Sequence, residues 1–101
     1  MDFDAVFAVT DVIAIDAMRA LEDNGLTVPG DIAVVGFDDV PLAREVTPPL
    51  TTIRQPIYDI ASMAMSMLVE ELIPGNPSEL TIEVPTELVV RHSTACCGET
   101  N

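Results

Sequence analysis

The chain has 101 residues, 49% of them hydrophobic, with 17 Asp and Glu against four Arg and no Lys, a formal net charge of -13. That length allows one domain with a modest core, and that composition excludes wholesale disorder. With no cluster of cations to displace phosphate counterions, most nucleic-acid roles for this chain acting alone are excluded as well.

Residues 4–9 form a continuous apolar run of strand length, the pattern of a strand covered on both faces. Thr10 and Asp11 supply an N-cap, Ala14, Ala17, Met18 and Leu21 recur at helical spacing, and Asn24-Gly25 stops the helix. Pro29-Gly30-Asp31 turns the chain into a second apolar run, 32–37, which the crossover rule places parallel to the first. Residues 41–46 read as a short helical stretch, 50–53 as a third short strand, and 56–73 as a long helix opened by Pro56 and closed by Pro74-Gly75. Two further strands are expected over 80–84 and 87–91, separated by Pro85, with a polar tail at 96–101.

On the long helix Asp59, Ser62, Ser66 and Glu70 make one narrow polar stripe, and most of the remaining circumference is apolar. Such a helix needs neighbours on several sides, more than a chain of this size provides. The chain is therefore expected to be incomplete or to pack against a second copy. The same run is too interrupted by charges to span a membrane, and Met1-Asp2-Phe3-Asp4 lacks the basic start of a secretory leader. Cys96 and Cys97 are adjacent, have no zinc-motif partners, and read as free thiols of a reducing, cytoplasmic compartment. The methionines 63, 65 and 67 read as core or interface filler, and His92 as a surface residue.

Nothing in the sequence supports catalysis: no glycine elbow surrounds a serine, there is a single histidine, and no phosphate loop, metal-ligand spacing or cofactor motif is present. The informative stretch is Val34-Val35-Gly36-Phe37-Asp38-Asp39, an apolar strand that ends in two carboxylates. Ligands of open parallel sheets bind beyond the carboxyl ends of the strands, and Thr10 and Asp11 occupy the corresponding end of the neighbouring strand. A carboxylate there can accept hydrogen bonds from two hydroxyls of a sugar or nucleoside. Alternatively, Asp38 and Asp39 form an Asx-type turn and Asp11 caps the helix.

The ordered set 4–8 with Thr10-Asp11, Ala20-Leu21 with Gly25, 28–39, 48–56 and 87–94 resembles the last third of LacI/GalR-type bacterial transcriptional repressors, over nearly the whole chain. The resemblance implies a parallel-sheet, periplasmic-binding-protein-like (type I) α/β fold, partial here, with three α/β/α layers. Residues 1–95 would be the C-terminal portion of the effector-binding domain, mostly its C-terminal lobe, with helix 56–73 lying with the N-terminal lobe. It implies a sugar, sugar phosphate or purine-like effector in the cleft, a homodimer, and operator DNA contacted only through an N-terminal helix-turn-helix domain outside this chain. Position by position, Asp38 matches the aspartate that holds effector hydroxyls, and Gln55 a cleft residue at a lobe crossover. Thr10 stands where many members have a ligand-touching asparagine. Ile57 falls beside the cleft where relatives often place an aromatic ring. Asp16 replaces a common glycine, and Ile15 and Val46 correspond to positions near the dimer interface. A periplasmic sugar-binding protein serving transport is the alternative of the same fold.

Overall fold

The computed structural model describes residues 3–72 and 81–94. The cysteine pair, the polar tail and the Pro74-Gly75 stop lie outside them. In chain order the elements are β1 (Ala5–Phe7), α1 (Asp11–Asp23), β2 (Ala33–Val35), a 3-10 turn (Pro41–Arg44), β3 (Thr52–Arg54), α2 (Ile57–Glu71) and β4 (Glu87–Val89). They fall into two compact units, residues 1–54 with 87–101, and residues 55–86.

In the first unit β1 and β2 pair in parallel, with Val6 opposite Val34. The amide of Gly36 donates to the Thr51 carbonyl at 2.9 Å and that of Asp38 to the Ile53 carbonyl at 2.8 Å, so the segment 51–54 runs along the other edge of the β2 strand. β3 then pairs antiparallel with β4, Arg54 opposite Glu87. α1 packs on the sheet through Ala14, Ile15 and Met18, which meet Ile32, Val34 and Leu50 in the core. Its start is fixed by Thr10, whose hydroxyl accepts from the Ile13 amide at 3.3 Å.

Gly36 is needed for the approach of α1 to the sheet. A Cβ there would run into the Asp11 carboxylate and lie 2.9 Å from Leu50 Cδ2. Gly36→Ala is expected to destabilise the protein by about 2 kcal/mol, the cost of overpacking a rigid contact, with the midpoint of urea unfolding as the measure.

Two expectations about strands are corrected. β1 is not covered on both faces: α1 covers one, while Phe7 and Val9 stand exposed. The strand expected over 80–84 is also not formed where it is described, because residues 81–86 are irregular and pair with no neighbouring strand edge among the described residues.

The second unit contains α2 and the segment 81–86. α2 has no buried residue: Ile57, Met65, Leu68, Val69 and Leu72 are all exposed. Much of the wide apolar surface read from the sequence is thus exposed, with only Ile60, Met63 and Met67 half-buried along it. No helix among them is long and apolar enough to cross a membrane.

Candidate functional site

The backbone brings the two polar strand tips together. The Ala8 amide donates to the Val35 carbonyl at 2.8 Å and the Asp11 amide to the Phe37 carbonyl at 3.0 Å, so Thr10 and Asp38 flank one hydrogen bond. Beside it an open apolar recess of about 380 Å³ is lined by Phe7, Ala8, Val9 and Phe37. This is the carboxyl edge of a parallel sheet, where ligands of such folds bind.

Asp38 is half-buried and has φ 124°, and Asp39 follows with φ 62°. Non-glycine residues adopt such angles at a cost of roughly 1–3 kcal/mol each, and persist there only when their surroundings over-determine them. The Asp38 amide is tied to Ile53, and the Asp39 carboxylate, 2% exposed, sits between two guanidinium groups. Arg54 Nε donates to Asp39 Oδ2 at 2.7 Å, and Arg91 Nη1 stands 2.8 Å from Oδ1 as a charge contact without good hydrogen-bond angles.

Burial pushes the Asp39 carboxyl up, but the contacts and positive charges of Arg91 and Arg54 outweigh it and hold the group below the ordinary carboxylate range. A carboxylate whose folded pKa is depressed stabilises the fold fully above its unfolded value of about 3.9, and the contribution is lost as pH falls through the lowered folded value. Acid weakening of the wild type below about pH 4 should therefore be smaller in Asp39→Asn, as read by urea midpoints at pH 5 and pH 3. The difference is modest because Arg54 is exposed and its charge screened.

Asp11 is not the helix cap. That role belongs to Thr10, while Asp11 is wholly buried on the same stripe as Ala14, Ile15 and Met18. Its carboxylate accepts from the Val40 amide at 2.7 Å and the Thr52 hydroxyl at 2.5 Å. It therefore ties α1 to the loop after Asp39 and to β3, supporting the strand tips from beneath.

The remaining candidate residues lie on other segments of the chain. Gln55 is half-buried and Ile57 56% exposed, both in the second unit. Ile15 is only 4% exposed and packs in the core of the first unit. Val46 is partly buried against that core. Arg54 and Arg91 carry the site's electrostatics and were not singled out from the sequence, where only their places at strand ends mark them. No group of three or more His, Cys, Asp or Glu among the described residues is placed to hold a metal ion.

The chain is similar to known proteins in sequence and in fold. Residues 2–94 match the family described as periplasmic binding protein-like domain. The lactose operon repressor of Rhizobium radiobacter is 44% identical over 89% of this chain and 79% of its own. The ribose operon repressor of Halalkalibacterium halodurans is 40% identical over 90% of this chain, which spans 28% of that relative's length. Among solved structures, a LacI family transcriptional regulator from Enterococcus faecalis V583 with bound ribose superimposes with a TM-score of 0.81, at 33% identity, over 94% of this chain and 36% of that one. The chain belongs to the periplasmic binding protein-like domain family, among the LacI/GalR-type transcriptional regulators.

Proposed function

We propose that the chain is the C-terminal part of the effector-binding domain of a LacI-type transcriptional regulator, and that Asp38 accepts hydrogen bonds from the hydroxyls of a sugar or related small molecule. The observation that carries this is the strained, half-buried aspartate at the joined tips of two parallel strands, beside an open recess. Thr10, whose oxygen already accepts from the Ile13 amide, keeps its hydroxyl proton to donate to a ligand oxygen. Gln55 and Ile57 are further ligand-contact positions by the family resemblance alone. The protein binds rather than catalyses, works in the cytoplasm, and needs no cofactor.

The exposed faces of β1 and α2 are the surfaces that the remaining chain of a longer relative would cover, and Val46 lies near a homodimer contact. Operator DNA is reached through a headpiece, which suits the acidic balance of this chain. The effector acts by binding one relative lobe orientation better than the other, since only differential affinity shifts such an equilibrium. Thermal-shift titration of the full-length protein against ribose, other sugars, sugar phosphates and purines tests the reading. One class is expected to raise the melting temperature saturably and to change operator affinity in the same concentration range. No stabilisation by any class would contradict it. A helix-turn-helix in the preceding gene sequence supports regulation over transport, and a secretory leader would reverse that preference.

A further inference from the structure

Asp39 does more than fill space beside Asp38. Its two cationic neighbours arrive from distant parts of the sequence: Arg54 is the last residue of β3, and Arg91 lies two residues beyond β4. Arg54 also stands opposite Glu87, with Nη1 at 3.4 Å from Glu87 Oε1, and Arg91 Nη1 donates to the Leu50 carbonyl at 2.9 Å. Arg54 and Glu87 are the residues at which the chain leaves the first unit and returns to it. One nearly buried carboxylate thus joins the turn after β2 to both crossing strands. The same turn is anchored by the Asp38 amide on Ile53, one residue before Arg54.

We propose that Asp39 is a positioning residue. Held by Arg54 and Arg91, its carboxylate fixes the two positive-φ residues of the turn and so sets the direction in which Asp38 offers its own carboxylate. It also couples that direction to the strands that carry the chain out of the unit and back. The proposal rests on the reading of Asp38 as the ligand-holding group. Backbone preference alone does not account for the arrangement, because two successive positive-φ non-glycine residues are costly and the Arg54 and Arg91 cations restrain the second of them directly.

Asp39→Asn tests the charge alone, since Asn tolerates the left-handed region as well as Asp does and has nearly the same shape. In the full-length protein without ligand, hydrogen–deuterium exchange of segments 36–40 and 52–54 is expected to rise about tenfold while α1 stays within about twofold of wild type. Arg54→Gln, at an exposed position, is expected to move the same segments in the same direction by about threefold. In titrations with D-ribose, well below the melting temperature, Asp39→Asn should shift the midpoint about tenfold and still saturate, while Asp38→Asn shows no saturation. Unchanged exchange at 36–40, or a rise spread equally over α1, would overturn the proposal whether or not ribose binds. An unchanged ribose midpoint in Asp39→Asn, with binding lost in Asp38→Asn, would overturn it while leaving the proposed function standing. Wild-type ribose binding by Asp38→Asn would instead sink the effector role of Asp38, and the exchange pattern then judges the anchor by itself.

Discussion

Asp38→Ala in the full-length protein is expected to abolish the effector response while the fold survives. Each hydrogen bond from a ligand hydroxyl to an ionised carboxylate is worth about 1.5–3 kcal/mol, so losing two raises the titration midpoint by roughly a hundredfold to twenty-thousandfold. The substitution also places Ala at φ 124°, where Asp is better tolerated, and this costs about 1 kcal/mol of stability. Asp38→Asn separates the two effects, because it keeps the backbone tolerance and one acceptor oxygen but adds donors where the ligand also donates. The measurement is operator release against effector concentration, with the melting temperature as the control for folding. Equal midpoints for wild type and both variants would remove Asp38 from the site.

The second large effect is expected at Asp11. Replacing it by Ala leaves the Val40 amide and the buried Thr52 hydroxyl without their acceptor, and each abandoned polar group costs about 1–3 kcal/mol. The cavity left against Gly36 adds to this. A loss of about 3–5 kcal/mol is expected, a large part of the stability of a small domain. Thr52→Val leaves Asp11 Oδ1 without its donor while Oδ2 keeps the Val40 amide, so one polar group is abandoned instead of two and the cost should be smaller, about 1–3 kcal/mol. Urea unfolding midpoints of the three proteins check the order. A loss within about 1 kcal/mol for Asp11→Ala would mean that the tie between helix, loop and strand is not a main support of the fold.

Much of this was legible in the sequence. The strand, cap, helix and glycine-stop pattern over 4–25 gave β1 and α1, and the apolar run ending in Asp38 gave β2 with its polar tip, because local periodicity and punctuation carry that information. The cover of β1 and the pairing of 80–84 were misjudged since both depend on which surfaces are close in space, and an apolar run has the same look whether or not a neighbour covers it. Asp11 was legible in principle: it lies three, four and seven residues before Ala14, Ile15 and Met18, so it shares their buried face. Its position at a helix start favoured the cap reading, and Thr10 one residue earlier had the better claim. The ion set of Asp39, Arg54 and Arg91 could not be read at all, since its members are 15 to 52 residues apart and no periodicity links them.

The chemistry of this chain turns on whether the Asp38 carboxylate meets an effector at the joined strand tips. The most direct measurement is a crystal structure of the full-length protein saturated with the compound that stabilises it most in the thermal-shift panel. Two ligand hydroxyls are expected within about 3 Å of the Asp38 carboxylate oxygens, with Thr10 lining the same pocket. A ligand bound elsewhere, with Asp38 making no polar contact to it, would contradict the account.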